Sequence, residues 1–197
     1  EVGALISFNM ATAAGTQGCG PGAYPPASTF NDIVPSVADT DQWCAAIASF
    51  GGRWATLVAK HECGFALWPT KAASHGFAYN YSVPEGVDYV RQVAESCAAV
   101  GVKLGIYYSI NRNSYLDVWD NAVGGPKVNQ TQYNDIVLQQ LTELWSNYGP
   151  LAEIWFDGGA TQSISPDTMT QMVVLKQKLQ PQAVTFGGCD AFPVNSV

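Results

Sequence analysis

A chain of 197 residues, 47% hydrophobic and 13% charged, is long enough to bury a sizeable core and too apolar for a disordered segment. Its net charge of −7 repels phosphate backbones and anionic lipid surfaces, so neither nucleic acid nor a membrane is expected as a partner. No apolar run approaches the roughly 18 residues that a bilayer-spanning helix requires.

In chain order, Gly3 to Phe8 reads as a first strand. Residues 10–38, rich in Gly, Pro, Ala and Thr, read as a long loop. Helical spacing follows at Trp43, Ile47 and Phe50, then a second strand from Trp54 to Ala59. Val87, Val90, Ala94 and Cys97 mark a second helix, Val102 to Tyr108 a third strand, and Val137, Leu141, Leu144 and Tyr148 a third helix. Pro150 to Phe156 is a short, nearly continuous apolar run, the pattern of a strand buried on both faces. Ser165-Pro166-Asp167 opens a fourth helix, with a cap residue followed by proline in the first turn, and Ala183 to Phe186 is a fifth strand.

Alternating strands and helices give an α/β fold with a parallel sheet and right-handed crossovers. Two closures are open, a doubly wound sheet or a (β/α)8 barrel. No Gly-x-Gly-x-x-Gly follows the first strand and no Walker loop occurs, which disfavours a nucleotide-binding sheet. A complete barrel needs eight strands and about 250 residues. Taken as a barrel, residues 1–197 supply about the first five strands and leave it incomplete.

Parallel barrels carry their chemistry at the C-terminal ends of the strands. Ser7 and Asn9 stand at the end of the first strand, and Lys60, His61 and Glu62, then Trp68, at the end of the second. Tyr107 and Ser109 end the third, with Asn111 and Arg112 just beyond. Asp157 ends the fourth, directly after Trp155-Phe156 and before Gly158-Gly159; Cys189 and Asp190 follow the fifth. A carboxylate there can be a nucleophile or a loop cap, and His61-Glu62 can be a binding pair or a satisfied loop. With an imidazole, a phenol and indole rings nearby, the set suits a sugar site. Retaining glycosidases pair the nucleophile with a second carboxyl about 5–5.5 Å away. No C-x-x-C occurs and no second His follows His61 at helical spacing, so a metal site is not expected.

The sequons Asn80-Tyr81-Ser82 and Asn129-Gln130-Thr131, few Lys and Arg, and Glu1 as the first residue fit a mature secreted glycoprotein whose leader has been removed. Of Cys19, Cys44, Cys63, Cys97 and Cys189, an odd number leaves one thiol free or paired with another chain.

The string Ala59-Lys60-His61-Glu62-Cys63-Gly64-Phe65-Ala66-Leu67-Trp68-Pro69-Thr70-Lys71, followed by Tyr81-Ser82-Val83, resembles the family 29 α-L-fucosidases, whose usual pattern is Ala-Lys-His-His-Asp-Gly-Phe, Leu-Trp-Pro and Tyr-Ser-Val. Gly105-Ile106-Tyr107-Tyr108-Ser109 and Glu153-Ile154-Trp155-Phe156-Asp157-Gly158 resemble two further motifs, in family order. The resemblance implies a barrel-like catalytic domain, retaining release of α-L-fucose from fucosylated glycans, and no cofactor. It implies Asp157 as nucleophile, with His61, Trp68, Tyr107 and Trp155 lining the sugar pocket. Glu62 and Cys63 replace the family's second His and its Asp, and Ser7 stands where a His is usual. Glu62 is then a sugar-binding residue and an acid/base candidate. The departures leave open a non-catalytic carbohydrate-binding relative or a glycosidase of altered specificity. The remaining polypeptide of the enzyme is expected as a partner that supplies the missing strands and the family's acid/base Glu.

Overall fold

The computed structural model describes residues 2–33, 38–120, 122–123, 125–158 and 163–187. Strand β1 (Val2–Ile6) leads to the short helices α1 (Met10–Ala14) and α2 (Ser28–Asn31), then to α3 (Thr40–Ser49) and β2 (Gly52–Lys60). A hairpin of β3 (Ala73–Ser74) and β4 (Phe77–Ala78) precedes α4 (Tyr89–Ala99) and β5 (Lys103–Tyr108). A small antiparallel sheet of β6 (Arg112–Asn113), β7 (Val118–Trp119) and β8 (Ala122–Val123) follows. The chain continues through α5 (Gln130–Asn147), β9 (Glu153–Trp155), α6 (Pro166–Leu179) and β10 (Val184–Phe186).

The main sheet is parallel, in the order β1-β2-β5-β9-β10. Each unit lies beside the one before it, with no reversal of strand order. A doubly wound sheet reverses; a barrel does not. The four long helices start where the sequence supplies a cap. Asp39, Asp88, Asn129 and Ser165 each accept a hydrogen bond from a backbone N–H in the first turn, and Pro166 occupies the first turn of α6.

Register separates two faces. Ile6, Leu57, Ile106, Ile154 and Thr185 lie in one row across the sheet, and Leu57, Ile106 and Ile154 are buried in the core that the helices cover. Leu5, Thr56, Gly105, Glu153 and Val184 form a row on the opposite, inner face, and Val58, Tyr107, Trp155 and Phe186 form the next. Gly105 leaves space for Thr56 to donate a hydrogen bond to Glu153 across the strand between them; a Cβ there would lie 2.5 Å from Thr56 Oγ1.

The inner face corrects the expectation of a fourth strand buried on both sides. Ile154 is buried while Glu153 and Trp155 are partly exposed, because among the described residues helices cover the outer face alone. Leu5, Val184 and Phe186 are 47%, 41% and 55% exposed on the inner face. The regular part of that strand is also shorter than Pro150–Phe156, although ladder-type bonds from Ala152 N–H to Leu104 and from Phe156 N–H to Phe186 flank it. Residues 10–38 are likewise not one loop. Asn9 builds a capping box on α1, and Phe30 of α2 is buried against Phe8, Phe65 and Tyr89. Helices of four and five residues are too short to show a 3.6-residue period.

Between Val58 and Lys60 the β2–β5 register shifts, and Lys60 pairs with Tyr108 on the covered face. Lys60 is fully buried, its Nζ 3.9 Å from the centroid of the Tyr108 ring and without a hydrogen-bond partner among the described residues. Desolvation holds its pKa well below the usual lysine value. The ring would favour the ammonium form, but a single cation–π contact of about 2 kcal/mol does not offset full desolvation. The folded state then binds fewer protons than the unfolded chain between the lowered pKa and about 10.4, so stability rises with pH across that window. Lys60→Met is expected to be more stable than the parent at pH 7, with the advantage vanishing as pH approaches 10. Urea titrations of both proteins from pH 6 to 10 check it; parallel curves would refute a neutral Lys60.

Candidate active site

The register shift that sends Lys60 outward turns the following residue inward. The His61 ring stacks on Tyr107 with centroids 5.8 Å apart at 30°. Tyr107 meets Trp155 edge-on at 5.5 Å, and Trp155 meets Phe186 edge-on at 4.9 Å. Adjacent register positions put Tyr107, Trp155 and Phe186 side by side, so one layer of the inner face is a row of aromatic rings running up to an imidazole.

Asp157 stands exposed beyond the end of β9 and accepts a 2.9 Å hydrogen bond from the Tyr107 hydroxyl. Gly158, at φ +72°, makes the turn that follows, and its carbonyl accepts from Asn111 Nδ2. Asn111 also receives the Ser163 hydroxyl at its own carbonyl, 3.2 Å away. Gly159 lies outside the described residues, as do Cys189 and Asp190.

Burial pushes the Tyr107 phenol above the ordinary range, and the neighbouring Asp157 carboxylate pushes it further. Tyr107 therefore keeps its proton and remains a donor. His61 is lowered, chiefly by burial; Glu62 and Asp157 oppose the shift and Arg112 assists it. Neutral imidazole donates from one nitrogen and accepts at the other. Its Nδ1 is buried with no partner among the described residues.

Glu62 lies beside His61 and is tied to Arg112, Nη1 to Oε2 3.2 Å. Trp68, expected at the pocket, is buried instead: its indole N–H donates to Glu143 of α5 at 2.7 Å. The largely apolar segment after β2, Cys63 to Trp68, folds into the core and carries Trp68 with it. Asn9 is drawn into the α1 cap. Cys63, in place of the family's Asp, is disulfide-bonded to Cys19, and Cys44 pairs with Cys97. The sequon residues Asn80 and Asn129 are both exposed. Asn80 accepts from the Tyr115 hydroxyl, and Asn129 caps α5. Phe186 and Asp120 join the site region although no motif marks them, brought there by strand register and loop folding, while Asn111 lies beyond the third strand as expected.

A cavity of about 670 Å³ opens at the other end of the sheet, lined by Trp54, Lys103, Leu151, Glu153, Gln182 and Val184. These residues start the strands, so it is the floor of the open barrel interior and not the site of chemistry.

A parallel (β/α) array in unreversed strand order, with a carboxylate, a phenol, an imidazole and an indole at its strand ends, has the architecture of part of a (β/α)-barrel domain. The profile of the family described as Alpha-L-fucosidase matches residues 21–188, and the chain belongs to that family. It is 34% identical over 164 residues to a protein of Oryza sativa subsp. japonica, covering 82% of this chain and 29% of that one. It is 30% identical over 173 residues to alpha-L-fucosidase 1 of Arabidopsis thaliana, covering 84% of this chain and 30% of the relative. The crystal structure of a glycoside hydrolase 29 family member from an unknown rumen bacterium superposes with a TM-score of 0.73 at 28% identity, covering 96% of this chain and 34% of that one. The chain thus spans less than a third of the length of the two sequence relatives.

The site's charges make a titration prediction. In an NMR pH series His61 is expected to have its midpoint below 6.5. Asp157→Asn is expected to lower it further, because it removes an anion that favours imidazolium. A midpoint that rises in the variant would contradict the placement of Asp157 beside His61.

Proposed function

We propose that this chain is the nucleophile-bearing part of a retaining α-L-fucosidase acting on fucosylated glycans. The observation that carries the proposal is the exposed Asp157 carboxylate at the end of a barrel strand, hydrogen-bonded by a phenol that cannot ionise at neutral pH and flanked by a neutral His61. In this reading one Asp157 oxygen attacks the anomeric carbon while the other keeps the Tyr107 hydrogen bond. The glycosidic oxygen leaves with a proton from a general acid, and water then releases fucose from the ester with retention. His61 pairs with fucose hydroxyls, donating to one and accepting from another, and Trp155 with Tyr107 forms the apolar wall.

Glu62 suits binding better than proton transfer. A general acid must hold a proton to give away, and Glu62 is already an acceptor for Arg112. The acid/base and the covering of the inner face are proposed to come from the rest of the enzyme, a reading supported by the exposure of Leu5, Val184 and Phe186. A secreted, glycosylated protein is proposed from the two disulfides, which persist in oxidising compartments, and from the exposed sequons.

Asp157→Asn is expected to lower turnover of an aryl α-L-fucoside at least about a thousandfold, as for loss of a covalent nucleophile, while fucose binding persists. A fluorinated fucosyl substrate is expected to label Asp157, read by peptide mass spectrometry. Turnover within tenfold of the parent would sink the assignment. Denaturing mass spectrometry of the active protein, with and without reductant, is expected to show polypeptide beyond the mass of residues 1–197. An active species of that mass alone would return Glu62 to the acid/base role.

A further inference from the structure

Glu62 is held from two sides. Arg112 Nη1 lies 3.2 Å from its Oε2. On the other side is the backbone of Gly18, where an added Cβ would fall 1.9 Å from Glu62 Oε1. The Cys19–Cys63 disulfide fastens the residues next to both, so the carboxylate is clamped against the N-terminal segment. Arg112 is itself fixed. Its Nε and Nη2 bind the two oxygens of Asp120 at 2.8 and 3.0 Å, and its guanidinium lies 4.7 Å over the Trp119 ring.

This ladder runs outward from the reaction centre. Side-chain exposure climbs from 18% at Glu62 to 42% at Arg112 and 50% at Asp120. Its charges also reach inward: those of Glu62 and Arg112 are felt at both His61 and Tyr107, the two rings that border Asp157. In a displacement by Asp157 the leaving group departs from the sugar face opposite the carboxylate, away from the sheet and on the side of the segments that follow the strands, to which Glu62, Arg112 and Asp120 belong. The ladder offers what a neutral sugar needs, carboxylate oxygens to accept from hydroxyls, guanidinium N–H groups to donate, and an indole edge. Two carboxylates against one guanidinium leave it net negative, which repels an acidic group.

Building on the fucosidase reading, we infer that Glu62, Arg112, Asp120 and Trp119 form the subsite for the sugar that carries the fucose, and that this subsite selects a neutral sugar over a sulfated or carboxylated one. Arg112 is its specificity-determining residue.

The test uses the complete enzyme with three substrates: an aryl α-L-fucoside, a neutral fucosylated oligosaccharide, and the same oligosaccharide sulfated on the sugar next to fucose. The parent is expected to prefer the neutral oligosaccharide to the sulfated one at least tenfold in kcat/KM. Arg112→Gln is expected to lower kcat/KM on the neutral oligosaccharide at least ten times more than on the aryl fucoside. Asp120→Asn keeps the Arg112–Glu62 pair but loosens Arg112 and removes one negative charge. It is expected to change the same ratio in the same direction by a smaller factor and to narrow the discrimination against sulfate. Equal losses on both substrates in both variants, or no loss, would overturn the subsite while leaving the fucosidase reading intact. A parent inactive on every fucoside would overturn that reading and the subsite with it.

Discussion

The shift in register between Val58 and Lys60 is the constraint on which the site depends. In a regular strand alternate side chains share a face, so residue 60 would lie with Thr56 and Val58 on the inner face, and residue 61 would turn to the helices. One extra residue reverses the last two. Lys60 goes to the covered side over Tyr108, and His61 goes to the inner side over Tyr107. A bulge beside a reaction centre re-aims side chains without moving the strand. Here its cost is a desolvated amine in the core, and its effect is an imidazole in contact with the aromatic layer.

The remainder of that layer is register. Tyr107, Trp155 and Phe186 are neighbours because β5, β9 and β10 pair at those positions. A slip of one residue in β9 would exchange Trp155 for Ile154 on the inner face and move Asp157 away from the Tyr107 hydroxyl. The covered row of Leu57, Ile106 and Ile154 holds against such a slip, since each would lose its place in the core. The apolar outer face thus determines the geometry of the polar inner one.

Disulfides and ion pairs organise the mouth. Cys44–Cys97 ties α3 to α4 behind the sheet, and Cys19–Cys63 ties the N-terminal segment to the residue after Glu62. Closing loops of this length stabilises the fold by about 4 kcal/mol each in chain-entropy accounting. The second bridge also answers a departure from the family pattern. Cys63 replaces an Asp not to supply chemistry but to anchor the loop, and the adjacent Glu62 is then met by Arg112 from the β6–β8 sheet.

Much of this was legible in the chain itself. Alternating periods, the capped helix start at Ser165-Pro166, and a carboxylate after an apolar run together imply parallel βα units with Asp157 at a strand end. Those signals are local: a cap or a period involves residues within one turn or one strand. What tertiary structure decided is everything set by a neighbour distant in sequence. It buried Trp68 against Glu143, seventy-five residues away, and drew Asn9 into a cap. It also opened the inner face of β9 and brought Arg112 across to Glu62. Whether a polar or aromatic side chain meets substrate, solvent or core depends on which strand or loop lies opposite, and that partner is fixed by packing rather than by the residues on either side.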